Sequence, residues 1–385
     1  MSEALRIGVV CYARFGGSGV VAAELASGLA ARGHRVHVIA SAAPGRVLRV
    51  SERLHLHVVH VPEYPVFDHA PYGLAVAGAI VEVASAERLD LLHVHYAVPH
   101  AASAYLACQV LDAAAPRCVI TLHGSDVTPV GSEPSYRAVT RFAVAAADHV
   151  TVPSEYLRRQ AHHHLDLAEQ PPIEVIPNFV DTDHFAPAAR RDRRVFDALF
   201  GAPADGPVLF HVSNFRAVKR PTDLIDVLVA VRRRVPARLV LVGDGPERLR
   251  TAEHARACGV ADSVCFLGQR PDFADLLPHA DAFLLPSESE SFGVAALEAL
   301  SAGVPVFAYR VGGVPEVVVP EVGVLVAACD VAALAQAVLN GLEDPAQLAE
   351  RGRAARAHAL AHFRRDRALD RYEACFRRVV ERSPR

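Results

Sequence analysis

The sequence predicts an α/β protein made of two Rossmann-like, doubly wound parallel-sheet domains, and three observations support this. Short apolar runs alternate with helical stretches along the whole chain, as in parallel strands covered on both faces. The rhythm pauses once, at Pro177-Asn178-Phe179-Val180-Asp181 and on to Pro187, and then restarts. A chain of 385 residues with 51% hydrophobic content is also too long for one ordinary core. The expected boundaries are 1–178 and 179–363, with a helical segment in 364–385.

In the first half, residues 5–11 form an apolar strand. The Gly-rich turn Arg14-Phe15-Gly16-Gly17-Ser18-Gly19 follows, then a helix over 20–32 that ends at Gly33, and a strand over 35–40. The turn sits at the carboxyl end of the first strand, where open α/β sheets bind ligands. It is not G-x-G-x-x-G, and no acidic residue follows the second strand to hold a ribose, so a dinucleotide site is disfavoured. The turn is either a close approach of N–H groups to an anionic or hydroxylated ligand or simply a tight connection. Further strands are expected at 55–61, 91–95, 118–122, 149–153 and 173–176, with helices at 74–88, from Pro99 to 110, 134–147 and 154–164. Two of the strands deliver His93, His95 and Tyr96, and His123-Gly124-Ser125-Asp126, to the carboxyl edge that carries the glycine turn. Three polar clusters on one edge point to a ligand site.

The second half repeats the pattern. A strand over 208–212 feeds the loop Ser213-Asn214-Phe215-Arg216-Ala217-Val218-Lys219-Arg220, and Pro221 opens a helix. Strands follow at 238–242, before Gly243-Asp244-Gly245-Pro246, and at 263–267, before Gly268-Gln269-Arg270. The run 282–285 then leads into Pro-Ser-Glu-Ser-Glu-Ser-Phe-Gly from Pro286 to Gly293, a helix over 294–302 and Gly303 as its stop. The strand 304–308 leads to Gly312-Gly313, and from 331 onwards the chain is helical. At the start of the 294–302 helix, the free N–H groups of Phe292, Gly293 and Val294 and the helix dipole favour an anion. The competing reading is an N-cap cluster before a core helix.

Net charge is −3, which gives no reason to expect nucleic acid or an anionic membrane as partner. No apolar run reaches transmembrane length, and the start leads straight into a strand, so no signal peptide is expected. Seven scattered Cys without a C-x-x-C pair suggest reduced thiols in the cytoplasm. His55-x-His57 and His93-x-His95 lack Cys or carboxylate partners at ligand spacing, so no metal is expected.

Glu290-Ser-Phe-Gly followed by Glu298 resembles the E-x-F-G-x-x-x-x-E signature of the family-4 retaining glycosyltransferases. The resemblance implies the GT-B fold, two Rossmann-like domains facing across a cleft, with the last helix packing back on the first domain. It also implies that the second domain holds a nucleoside diphosphate sugar and the first an acceptor. Carried over residue by residue, it puts Glu298 on the ribose hydroxyls, Glu290 on a sugar hydroxyl and His123 on the sugar. Arg216 and Lys219 stabilise the charge on the departing diphosphate. The donor-binding set is completed by Gly17, Asn214, Gly268, Gln269, Ser291, Phe292 and Gly293. The family often carries Arg five residues before this Lys; here that place is Asn214, with Arg216 two residues later. The implied mechanism is front-face displacement, in which the departing phosphate oxygen takes the acceptor proton, with no metal and no paired glycosidase carboxylates.

Further stretches make the resemblance narrower. They are Cys11-Tyr12, Phe15-Gly-Gly-Ser-Gly-Val-Val, Tyr64-Pro-Val-Phe, Pro71-Tyr72, Leu92-His-Val-His-Tyr-Ala-Val-Pro-His, Thr121-Leu-His-Gly-Ser-Asp and His211-Val-Ser-Asn-Phe-Arg-Ala-Val-Lys-Arg. Together they resemble the N-acetylglucosaminyl L-malate synthases of bacillithiol biosynthesis, and imply UDP-GlcNAc as donor and L-malate as acceptor. A small dianion would then be held by the Gly17 and Ser18 backbone, Tyr96, Ser125 and Arg141, chosen over Arg137. The alternatives are a relative that uses another small anion such as an inositol phosphate, a UDP-GlcNAc epimerase of the same fold, or a silent sugar-nucleotide sensor. A homodimer is a further possibility.

Overall fold

Residues 3–13, 17–43, 50–62, 65, 68–167, 171–201 and 206–382 are described in the computed structural model. They form two compact units, Met1–Asn178 with Arg365–Arg385, and Phe179–Arg364.

Unit 1 is built on seven strands, β1 Arg6–Val10, β2 Arg35–Ala40, β3 Leu54–Val58, β4 Leu91–His95, β5 Arg117–Thr121, β6 His149–Val152 and β7 Ile173–Val175. They pair in the order β3-β2-β1-β4-β5-β6-β7 and all paired neighbours are parallel. Every residue of β4 is buried, as expected for a strand covered on both faces. The connecting helices are α1 Gly17–Ala31, α2 Tyr72–Glu87, α3 Ala102–Leu111, α4 Pro134–Ala145 and α5 Glu155–Leu165. Ser154 caps α5 by accepting from Leu157 N at 3.0 Å.

Unit 2 contains α6 Asp197–Phe200, β8 Val208–Val212, α7 Pro221–Arg232, β9 Arg238–Val242, α8 Arg248–Ala257, β10 Val264–Gly268 and β11 Ala282–Leu285. It continues with α9 Val294–Ser301, β12 Val306–Tyr309, α10 Val314–Val317, β13 Gly323–Val326, α11 Val331–Glu343 and α12 Pro345–His362. Its sheet runs β10-β9-β8-β11-β12-β13, the strand order whose reversal beside β8 makes a ligand crevice at the carboxyl ends. The last helix, α13 Arg365–Val380, belongs to unit 1. It buries Leu369, Tyr372, Phe376 and Val379 at helical spacing. Leu369 packs where a Cβ on Gly28 would lie 2.6 Å from its Cδ1, so α13 lies close on α1 and a larger residue at 28 would require the Leu369 side chain to move. Both sheets are Rossmann-like, the fold class expected from the sequence.

Local differences have local causes. Helix α1 begins at Gly17, so Gly17, Ser18 and Gly19 form its first turn rather than a separate connection. Arg14, Phe15, Gly16, Tyr64 and Phe67 lie outside the described residues. The chain after β4 makes a π-turn over Ala97–Ala101, and α3 starts at Ala102, not Pro99. Asp126 Oδ2 accepts from Ala97 N at 3.1 Å, which diverts that N–H from an ordinary helical start. Strand β13, Gly-Val-Leu-Val, is an additional edge strand that the sequence reading does not include; three of its four residues are only partly buried.

Candidate functional site

The carboxyl edge of the second sheet collects four loops. After β8 the chain turns at Ser213, whose Oγ lies 2.8 Å from His211 Nε2 and accepts from Phe215 N at 3.3 Å. His211 Nδ1 donates to Leu284 O at 2.8 Å, which joins β8 to β11. Burial pushes His211 down to about 4, so its ring is neutral and Nε2 accepts the Ser213 hydroxyl proton. Glycines let a third loop close in. A Cβ on Gly243, at φ +121°, would fall 1.7 Å from Ser213 O.

Lys219 Nζ donates to Glu290 Oε1 at 2.6 Å, and Ser287 Oγ donates to the same oxygen at 2.8 Å. Both charged side chains are largely shielded, 18% and 11% exposed. The loop that carries Glu290 is fixed on two sides, because Glu288 N donates to Val218 O at 2.8 Å and Gly313 N donates to Glu290 O at 3.0 Å. Arg216 and Asn214 are exposed on the β8–α7 loop. Among the described residues the Arg216 side chain makes no ion pair or hydrogen bond. Gly293 is the N-cap of α9 at φ +98°, with Ser291 before it. The Phe292 ring is core: it is 2% exposed and lies 5.8 Å from the Phe363 ring, so only its backbone can serve a ligand. Glu298 sits in the second turn of α9, 5% exposed. Gly268 ends β10 at φ +67°, and the exposed Gln269 follows it.

Unit 1 presents its own cluster at the carboxyl ends of β1, β4 and β5. Asp126, fully buried, accepts from His123 N at 3.0 Å, Gly124 N at 2.8 Å and Ala97 N, so one carboxylate ties the β4 and β5 loops together. Burial raises its pKa and these N–H bonds oppose the rise. Tyr96, at φ +86°, shares a short hydrogen bond between its hydroxyl and Ser125 Oγ. Its ring lies 5.8 Å from the His123 ring, and His123 Nε2 is 2.9 Å from His95 Nδ1. Sequence reasoning did not assign a role to Tyr12, whose ring is 5.3 Å from Tyr96 and 4.3 Å from His100. Nor did it assign one to His100, whose Nδ1 donates to His95 O at 2.8 Å, so that Nε2 accepts from Tyr72 OH at 3.1 Å. The available signal was their position, just after one strand and one turn beyond another.

The structure gathers His123, Tyr96 and Ser125, and offers the first-turn N–H groups of α1 at Gly17 and Ser18. It does not bring Arg141 to them. Arg141 pairs with Asp166 at 3.1 Å, at the carboxyl end of α5 and therefore towards the opposite edge of the sheet. Arg137, one turn nearer the start of α4, is exposed and has no side-chain partner among the described residues. Two three-ligand groupings occur among the described residues, His149–Glu174–Cys375 and Asp226–His254–Cys258. Neither includes a residue of the two clusters. The seven cysteines are free thiols, and no described helix is long and apolar enough to cross a membrane.

Residues 15–184 match the family model described as Glycosyltransferase Family 4, and 192–358 match that described as Glycosyl transferases group 1. The chain is 38% identical to the N-acetyl-alpha-D-glucosaminyl L-malate synthase of Bacillus anthracis over 98% of this chain and 97% of that protein. It is 33% identical to a D-inositol 3-phosphate glycosyltransferase of Xylanimonas cellulosilytica over 89% of this chain and 85% of the relative. The solved structure of Anabaena HepE in complex with UDP and glucose matches the fold with a TM-score of 0.78 at 20% identity, covering 97% of this chain and 99% of that one.

Proposed function

The chain belongs to the family-4 glycosyltransferases, and from that premise we propose that it moves N-acetylglucosamine from UDP-GlcNAc to the hydroxyl of L-malate with retention, the first step of bacillithiol biosynthesis. The observation that carries the donor side is the Lys219–Glu290–Ser287 cluster, held rigidly next to the amino end of α9. The acceptor rests on the near full-length similarity to the malate synthase.

Transfer requires charge to build on the departing diphosphate. In this reading Lys219, Arg216 and the N–H groups that open α9 take up that charge, preorganised before the reaction. Glu290 orients a sugar hydroxyl, Glu298 the ribose and His123 the sugar, with Asn214, Gly268, Gln269, Ser291, Phe292 and Gly293 lining the donor and Gly17 approaching it. The departing phosphate oxygen takes the acceptor proton, and the reading assigns no metal ion. On the acceptor side, the Tyr96–Ser125 hydroxyl pair and the first turn of α1 receive the malate carboxylates. Of the two arginines on α4, Arg137 has no side-chain partner among the described residues to give up, whereas Arg141 must leave Asp166, at little cost for so exposed a pair. The same reading places the enzyme in the cytoplasm, acting on small molecules.

The deciding assay incubates the purified protein with UDP-GlcNAc, with and without L-malate, and follows UDP and the glycoside by mass and the anomeric configuration by NMR. Malate-dependent UDP release with an α-linked product is the expected result. Transfer to an inositol phosphate instead, which the 33%-identical relative makes the rival, would reassign the acceptor. Conversion of the donor with no acceptor would indicate an epimerase.

A further inference from the structure

His93, His95 and His123 crowd the carboxyl ends of β4 and β5. His95 is 1% exposed; its Nδ1 lies 2.9 Å from His123 Nε2, and its Nε2 is buried without a hydrogen-bond partner among the described residues. Burial, reinforced by the neighbouring imidazoles, pushes His123 down to about 3 and holds His95 well below its ordinary value. Both rings are therefore neutral at physiological pH, and each carries one proton.

Two arrangements are available to such a pair. In one, His95 donates from Nδ1 and His123 accepts at Nε2, which leaves the His123 proton on Nδ1. In the other, His123 donates from Nε2 and the His95 proton sits on Nε2, where a buried N–H finds no acceptor among the described residues. A buried orphan donor is the more costly defect, and it biases the populations by on the order of ten-fold or more. Nearby groups do not reverse this. His93 Nε2 is committed to Thr121 Oγ1 at 2.7 Å, and the His100 ring is fixed between His95 O and Tyr72 OH.

We propose that His95 is a positioning residue that fixes His123 as the Nδ1–H tautomer, so that His123 meets its substrate as a hydrogen-bond donor and not as a base. The partner it takes is an oxygen acceptor, a hydroxyl or carbonyl oxygen of the sugar. The inference rests on the proposed transfer for the identity of that sugar, though not for the tautomer itself. It has a mechanistic consequence: a ring whose lone pair is already occupied by His95 cannot collect the acceptor hydroxyl's proton, which leaves that task to the departing phosphate oxygen.

The test reads the tautomer directly. Long-range proton–nitrogen correlation spectra of histidine-labelled protein, with the His123 signals identified by their loss in His123→Gln, should show the Nδ1–H pattern in the wild type. His95→Asn, whose side-chain amide can donate from nearly the same place, should keep that pattern and retain transfer within about three-fold. His95→Leu should shift His123 towards Nε2–H and lower kcat/KM for UDP-GlcNAc at least ten-fold, with less effect on the KM for malate. An Nε2–H pattern in the wild type, or a His123 spectrum unchanged in His95→Leu, overturns the proposal. If the wild type transfers nothing from UDP-GlcNAc, the function is wrong while the spectra still decide the tautomer.

Discussion

Acidification should unfold this protein from unit 1 outwards, and the buried histidines give the size of the effect. Burial pushes His93 and His123 to about 3, pushes His37, His100 and His211 to about 4, and holds His95 well below its ordinary value. In an unfolded chain each would titrate near 6.5. Because the folded values are depressed, the folded state binds fewer protons. The stability these rings contribute is fully present above pH ~6.5, and is lost as pH falls towards about 4 for His37, His100 and His211 and about 3 for His93 and His123. At pH 5 the folded rings are still neutral, while the unfolded ones are about 1.5 units below their pKa. Each ring therefore costs about 2 kcal/mol, whatever its exact folded value below 4. Five of the rings belong to unit 1 and one to unit 2, so unit 1 loses about 10 kcal/mol and unit 2 about 2, against total stabilities of about 5–15 kcal/mol. Asp126 acts in the opposite sense: its raised pKa returns some stability as pH falls. Urea titrations followed by circular dichroism at pH 7.5 and 5, with hydrogen exchange by mass spectrometry to assign the loss, measure both quantities. Equal unfolding free energies at the two pH values, or protection lost first in Phe179–Arg364, would refute the reasoning.

Three substitutions test the sites. Lys219→Ala should reduce transfer by ~10²-fold or more while leaving the fold intact; a variant with full kcat would remove the diphosphate role. Arg137→Ala should raise the KM for malate at least several-fold with UDP-GlcNAc affinity unchanged, and Arg141→Ala should raise it less; the reverse order in steady-state kinetics would return the carboxylate to Arg141. Gly312→Ala would bring a Cβ within 1.8 Å of Glu290 O at φ +55°. It should therefore displace the Glu290 loop and cut kcat ten-fold or more, and a thermal melt should show a drop of several degrees; wild-type kinetics would show that the loop accommodates the methyl.

Much of this architecture was legible because the central strands are written as pure apolar runs. Residues 282–285, 208–212 and 238–242 are strands at the bounds read from sequence, since a short apolar run that ends at a polar turn is too brief for a helix and suits a strand buried on both faces. Legibility failed where a tertiary partner decides. The π-turn before α3 depends on an Asp126 carboxylate 29 residues away from Ala97. The start of α1 depends on whether three small residues join the helix or the loop, and composition does not settle that. Arg137 and Arg141 share one spacing on one helix, and only the fold shows that Asp166 holds the second.

The Glu290 carboxylate shows how far a motif and a structure each go. The spacing from Glu290 to Glu298 placed two acids around a helix start. It did not indicate that Glu290 Oε1 already accepts from both Lys219 and Ser287, nor that its carbonyl is braced by Gly313 N. Of the three contacts, the Gly313 bond fixes the Glu290 backbone and the Ser287 bond fixes its carboxylate, and only the Lys219 bond involves a cation that a diphosphate would attract. In the proposed reaction a ligand phosphate would draw on Lys219 while Ser287 still holds Glu290 in place for a sugar hydroxyl. Ser287→Ala separates these roles. If Ser287 is what keeps Glu290 in place, removing it should lower kcat several-fold with little change in UDP affinity, because the hydroxyl reaches the acid and not the nucleotide. A weakened UDP affinity at unchanged kcat, measured by calorimetry and initial rates, would instead place Ser287 in the diphosphate contacts.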